Sequence, residues 1–107
     1  MVPTYGVVLV TAGSEAEALT LSHTLVQENL AACVNILPIQ SVYTWENAVQ
    51  QEAEWQLLIK TDLDRFDQLE QRIQALHSYE VPEVIALPIT HGASTYLDWI
   101  STQTARS

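Results

Sequence analysis

The most restrictive feature of the sequence is a pair of long strand-like segments joined by a very short turn. The first, Ala31–Trp45, is rich in β-branched and aromatic residues and carries Pro38 in its middle, which predicts one long edge strand with a bend. Glu46 and Asn47 are predicted to form the turn. The second segment, Val49–Thr61, alternates apolar and polar residues, as a half-buried strand does.

This hairpin is too long for the domain that carries it. A strand over residues 31–45 would reach roughly 50 Å at about 3.3 Å per residue, whereas a compact domain of this size has a diameter of roughly 34 Å. A two-stranded ribbon that exposes Val42, Tyr43 and Trp45 is only marginally stable in water. We therefore expect the end of the hairpin to pack on another subunit.

Two elements are predicted before the hairpin. Tyr5–Ala12 is a continuous apolar run that ends at a glycine, which indicates a central strand buried on both faces. Ser14 and Glu17 have the spacing of a capping box, and apolar residues then recur at helical spacing. This pattern predicts an amphipathic helix that ends near Asn29.

A second helix and a fourth strand are predicted after the hairpin. Asp62 or Asp64 caps the helix, in which apolar residues repeat at intervals of three and four up to His77. The apolar segment 84–89 follows and contains a proline, which is consistent with an edge strand.

The chain is predicted to close with a short helix capped by Ser94 or Thr95. The order β, α, β, β, α, β with two crossover helices predicts an α+β, ferredoxin-like sandwich over residues 1–107, as a single domain. Its two long helices would cover one face of a four-stranded sheet, so something else must cover the other face.

The charge balance and the single cysteine narrow the range of functions. Thirteen acidic side chains against four basic ones give a net charge of −9, which disfavours binding to nucleic acid. Cys33 has no partner for an intramolecular disulfide, and this fits a reducing compartment. No basic leader or membrane-spanning apolar stretch is visible, so we expect a cytoplasmic protein that does not associate with membranes.

Three segments resemble the CutA divalent-cation-tolerance family: residues 28–38, 41–61 and 76–100. They contain Tyr-x-Trp before the turn, Glu-x-Glu followed by Leu-Ile-Lys-Thr, and His-x-Tyr-x-x-Pro-Glu, in the order and spacing of that family. The resemblance implies a ferredoxin-like subunit in a homotrimer whose architecture is similar to that of PII signalling proteins. It also implies a role in tolerance to divalent cations, with copper as the expected metal.

His77, in the last of these motifs, is the candidate metal ligand, because an imidazole can bind copper or zinc. Alternatively, it interacts with the negative end of the second helix and binds no metal. Some family members have a Cys near the end of the first strand and a second His beside this one, but Val10 and Leu76 stand there in this chain. We therefore expect no required cofactor, and at most a weak divalent-metal site that is shared between subunits or includes carboxylates.

A second set of residues combines aromatic rings with one lysine among acids, and could line a cleft at a subunit boundary or form the interface itself. This set is Tyr43, Trp45, Glu52, Lys60, Glu83, Tyr96 and Trp99. Most carboxylates are interpreted as solvated, with Glu52 and Glu54 pointing outward from one strand. Cys33 is interpreted as a small buried thiol, and His23 and His91 as surface or loop residues.

The sequence favours a non-enzymatic protein, since it lacks a phosphate-binding loop, a nucleophile elbow and the common metal motifs. Two functions follow from these patterns. The first is a trimer that binds divalent metal in metal-ion homeostasis. The alternative is a PII-like signalling or scaffold trimer that binds a small molecule or a protein in clefts between subunits.

Overall fold

The structure is a computed structural model and describes residues 4–105. Residues 1–3 and Arg106 lie outside the described residues, so the expectation that the chain lacks a leader stays a prediction. The elements are β1 Tyr5–Ala12, α1 Glu15–Gln27, β2 Cys33–Trp45, β3 Ala48–Asp62, a short 3₁₀ helix Leu63–Arg65, α2 Phe66–Leu76, β4 Ile85–Pro88 and α3 Ser94–Thr104.

The four strands form one antiparallel sheet in the order β2-β3-β1-β4. This order, with the chain running βαββαβ, is the ferredoxin-like arrangement that the sequence predicts. Both β2 and β4 lie at edges, as expected. Pairing between β2 and β3 continues through Pro38, which lies opposite Trp55, without a skipped residue. The proline therefore causes no bulge, because an edge strand can leave its nitrogen unpaired.

The hairpin turn consists of Glu46 and Asn47, as predicted. Trp45 pairs with Ala48 on either side of it, and φ is 51° at Glu46 and 64° at Asn47. Two successive left-handed residues in a two-residue loop define a type I′ turn, whose twist matches that of the strands. The molecule measures 45 × 26 × 21 Å, so the hairpin extends it strongly along one axis.

The main core lies between one face of the sheet and the helices α1 and α2. Its fully buried side chains include Leu25 of α1, Ile73 of α2 and Val8 and Val10 of β1. On the opposite face of β1, Leu9 is only partly buried. The prediction that β1 is buried on both faces is therefore wrong, since α1 and α2 cover one face alone.

Three predicted helix caps have different outcomes. The Ser14 hydroxyl accepts the amide of Glu17 at 3.1 Å, which confirms the cap of α1. Asp62 caps the 3₁₀ helix that leads into α2. Ser94 and Thr95 both lie inside α3, which has no side-chain cap, so that predicted cap is wrong.

The last helix, α3, contacts β3 on the face of the sheet opposite α1 and α2, which we call the open face. Tyr96 of α3 interacts with the Cys33 side chain, and Cys33 alternates with the core-facing residue Val34 on β2. Ile100 is fully buried but lies outside the main core cluster. The α3 helix thus covers one end of the open face and leaves the end near the hairpin turn uncovered.

Candidate functional site

The uncovered end of the open face forms a groove of about 640 Å³ between the hairpin and the loop that follows α2. We call it the hairpin groove. Three aromatic residues line it: Tyr43 and Trp45 from β2, and Tyr79 from the loop. Tyr43 and Trp45 share the open face because they are two residues apart on one strand. Trp45 is 54% exposed, so a large apolar ring faces solvent here.

Among residues 4–105, those that line the same groove include four acidic residues, Glu52, Glu54, Glu80 and Glu83, and no lysine or arginine. Hydrogen bonding to Glu52 raises the pKa of Tyr43, and burial and the charge of Glu54 act in the same direction. The electrostatic potential in the groove is therefore negative, and it favours a cationic occupant.

Glu54 departs from the outward, solvated position predicted for it. Only 7% of its surface is exposed, and its Oε2 accepts a hydrogen bond from the Tyr79 hydroxyl at 2.8 Å. Burial and the bond to Glu54 raise the pKa of Tyr79 far above its ordinary value. Strand alternation correctly places Glu54 on the open face, but it gives no information about the loop residue that covers it.

Gly13 makes this contact possible. It follows β1 directly, and a β-carbon there would lie 3.0 Å from the Tyr79 hydroxyl oxygen. Such a separation is tighter than most real contacts of a β-carbon, so the tyrosine would have to shift. The His-x-Tyr spacing of residues 77–79 is visible in the sequence, but no role for the tyrosine was predicted from it.

His77 is held inside the protein by both of its ring nitrogens. Nε2 lies 2.7 Å from the Thr11 carbonyl oxygen, and Nδ1 accepts the Tyr79 amide at 2.9 Å. These partners assign the ring proton to Nε2, and the side chain has no exposed surface. The metal-ligand role of His77 stays a prediction, and coordination there would require the loss of one of these hydrogen bonds.

Glu17 of α1 fixes the residue between His77 and Tyr79. Its two carboxylate oxygens accept the amide of Ser78 at 2.8 Å and the Ser78 hydroxyl at 3.0 Å. Burial raises the pKa of Glu17, but the hydrogen bonds from Ser78 outweigh this effect and hold the pKa below its ordinary value. Residues 77–79 are therefore anchored to three different elements, which fixes the loop wall of the hairpin groove.

Of the seven predicted cleft residues, four line the groove: Tyr43, Trp45, Glu52 and Glu83. The other three lie at the far end of the open face, since Lys60 is eight residues beyond Glu52 on β3, a distance of about 27 Å.

At that far end, the Lys60 ammonium donates to the Asn35 side-chain oxygen. The rings of Tyr96 and Trp99 lie 5.4 Å apart. One chain thus carries the predicted residues in two separate groups. In the predicted cleft between subunits, the two groups would come from different copies of the chain.

No group of three or more histidine, cysteine or acidic residues that could hold a metal ion is present within residues 4–105. His23 and His91 are exposed, as expected. Cys33 is partly buried beside Tyr96, whose pKa is raised by burial and by the cysteine.

A family model described as CutA1 divalent ion tolerance protein matches residues 6–103, which include the hairpin, the His-x-Tyr loop and α3. This chain belongs to the CutA1 family. Among CutA relatives, the divalent-cation tolerance protein CutA of Thermus thermophilus is 48% identical over 99 residues, which are 92% of this chain and 96% of that protein.

A chloroplastic CutA protein of Arabidopsis thaliana is also 48% identical over 99 residues. The match covers 92% of this chain but 54% of the plant protein, so this CutA1 chain spans about half the length of that relative. Relatives thus occur in an organelle as well as in bacteria. The cytoplasmic location expected from the sequence stays a prediction.

Solved structures of CutA1 proteins have the same fold. The structure of CutA1 from Oryza sativa matches with a TM-score of 0.95 at 45% identity, covering 98% of this chain and 97% of that one. The periplasmic CutA from Archaeoglobus fulgidus matches with a TM-score of 0.93 at 35% identity, covering 94% and 99%. In residues 4–105 of the present CutA1 chain, no helix is long and apolar enough to cross a membrane.

Proposed function

We propose that this CutA1 protein is a homotrimer that binds divalent metal, copper(II) above all, at the boundaries between its subunits, and acts in metal-ion homeostasis. The observation that carries the metal part is the hairpin groove, where four of the lining residues within 4–105 are acidic and none is basic. The names of the relatives, divalent-cation tolerance proteins, support the same role.

The exposed parts of the sheet support assembly. The edge strand β2 is 13 residues long and pairs with a strand on one side only, and β4 at the opposite edge is exposed throughout. Ile85 and Leu87 of β4 are each about half exposed, as is Trp45 of the hairpin. Long, apolar edges pair readily with other chains, so a soluble protein covers them. A ring of three copies would cover both edges of every subunit.

The small number of ligands available in one subunit is the reason for proposing a metal site between subunits. A transition-metal ion needs about four ligands, and the described part of one subunit holds no cluster of three. Glu52 and Glu83 line an open groove, and a neighbouring copy can supply the remaining ligands. Copper(II) binds oxygen and nitrogen donors more strongly than the other common divalent ions, which makes it the expected metal.

Calorimetric titration of the purified protein with copper(II) and zinc(II) tests the metal proposal. We expect stoichiometric copper binding that Glu52→Gln and Glu83→Gln weaken. Glu70→Gln on α2 is the matched control, since it removes the same charge outside the groove. His77→Ala should change the affinity less than the groove variants do, because both ring nitrogens are already used.

Two outcomes would refute the proposal. Equal, salt-sensitive weakening in all three glutamine variants would mean that the overall negative charge attracts the metal and that the groove has no special part. Light scattering after size-exclusion chromatography measures the oligomeric state, and a monomer at micromolar concentration would refute the trimer.

The dimensions of the groove also favour the second candidate, a PII-like trimer that binds a small molecule between subunits. Its volume of about 640 Å³ exceeds what one metal ion needs and falls in the usual range for small-molecule sites. A ligand bound there would contact the hairpin and the anchored loop together. Thermal-shift screening of the trimer tests this function, and Trp45→Leu is the variant that should abolish a positive result.

A further inference from the structure

The acidic residues of the hairpin groove are spread along its walls and do not converge on one point. Glu52 and Glu54 are two residues apart on β3, so their α-carbons are separated by about 7 Å. Although four acidic residues line the groove, no three of them are close enough together to hold a metal ion. A ligand that satisfies several of them at once must therefore carry more than one positive charge along its length.

The surface between these carboxylates is aromatic. Tyr43, Trp45 and Tyr79 line the same groove, and their rings attract cations through their faces and methylene groups through their apolar surface. Neither water nor a metal ion has methylene groups that could pack on the apolar surface of these rings. An organic cation with a hydrocarbon stem would contact both the rings and the acids.

From this combination we infer that the hairpin groove binds a linear di- or polyamine, whose protonated nitrogens pair with Glu52 and neighbouring acids while its methylene chain lies on Tyr43 and Trp45. The four-carbon stem of butane-1,4-diamine separates its two charges by nearly the spacing of alternate residues on a strand. This inference names a ligand class for the small-molecule function proposed above, and it rests on that function.

The hydrogen bonds around the groove are consistent with a fixed site of this kind. Glu54 is held by the Tyr79 hydroxyl, and the loop that carries Tyr79 is anchored through His77 and Ser78. One wall is therefore already in place before a ligand binds, which lowers the entropic cost of binding. The hairpin forms the other wall.

Calorimetry with butane-1,4-diamine at low salt tests the inference on the full chain in its native assembly. We expect one diamine per groove, weaker binding of butan-1-amine, which has one charge, and no binding of butane-1,4-diol. Glu52→Gln should weaken diamine binding about tenfold, the loss expected for one charge-assisted hydrogen bond. Trp45→Leu should weaken it as well, whereas the control Glu70→Gln should leave it unchanged.

Absence of diamine binding to the unmodified protein would overturn the inference, whatever the variants do. Equal weakening by Glu52→Gln and Glu70→Gln would also overturn it, since the acidic surface alone would then explain the affinity. The copper(II) titration described above runs as a separate arm. Diamine binding without copper binding would refute the metal proposal alone, and copper binding without diamine binding would refute this inference alone.

Discussion

Replacement of Tyr79 by phenylalanine tests the buried hydrogen bond that closes one wall of the groove. The change removes a hydroxyl and keeps the ring, while Glu54 stays 7% exposed and loses the donor 2.8 Å from its Oε2. A hydrogen bond to a charged group stabilises a folded protein by about 1.5–3 kcal/mol. We therefore expect Tyr79→Phe to lower the free energy of unfolding by about 2 kcal/mol, or the melting temperature by roughly 10 °C.

Tyr43→Phe is the matched control for this experiment. It deletes the same hydroxyl from a second tyrosine that hydrogen-bonds a glutamate on the same face, but here Tyr43 is 38% exposed and its partner Glu52 is exposed. Water replaces such a bond at little cost, so the expected loss is below about 0.5 kcal/mol. Urea denaturation followed by circular dichroism, at one fixed protein concentration, measures both variants.

A small loss for Tyr79→Phe, equal to that of the control, would refute the reasoning, because Glu54 would then find another donor at no cost. The pH dependence gives a second measurement. The pKa of folded Tyr79 is raised above its ordinary value of 10.0, mainly by burial. Its contribution is thus fully present below pH 10.0 and is lost as the pH rises through the folded value. Tyr79→Phe should make the loss of stability at alkaline pH less steep.

Three further predictions concern the loop and the hairpin. Gly13→Ala places a β-carbon 3.0 Å from the Tyr79 hydroxyl, so it should destabilise the protein by about 1–2 kcal/mol in urea, and clearly less when Tyr79 is already phenylalanine. Trp45→Ala should weaken assembly by about 2 kcal/mol or more, and an unchanged molecular mass on dilution would contradict this. Burial raises the pKa of Glu17, but hydrogen bonds from Ser78 outweigh this effect and lower the pKa below the ordinary glutamate value. The ionised carboxylate therefore stabilises the folded state above that ordinary value, and this stabilisation is lost as the pH falls through the lowered pKa. Glu17→Gln should therefore flatten the acid limb of a denaturation series as the pH falls below 4.5, the ordinary value.

Much of the fold could be predicted from local patterns in the sequence. The β-branched run of β1, the cap at Ser14 and the alternation along β3 each express a short-range rule, and the structure confirms all three elements. The predicted cap of α3 is wrong because Ser94 and Thr95 already lie within the helix. In the sequence, a serine or threonine in the first turn of a helix looks the same as one that caps it. Element ends are thus less predictable than element types.

The site was predicted only in part, for a physical reason. Tyr43, Trp45 and Glu52 belong to the hairpin itself, so strand alternation places them together. Tyr79 reaches Glu54 across 25 residues of sequence, through a gap that depends on Gly13. Such a contact depends on how the loop after α2 crosses the end of β1, and no periodicity records that path.

The type I′ turn at Glu46 and Asn47 constrains how the family can vary. The two strands pair without a bulge from the turn to Cys33, so the number of residues between a side chain and the turn decides on which face of the sheet that side chain lies. Insertion of one residue within β2 would exchange the two faces on one side of the insertion, so Trp45 and Cys33 could no longer both lie on the open face. The hairpin can therefore lengthen or shorten during evolution only by pairs of residues on each strand, and an odd change in length would mark a homologue that has given up this groove.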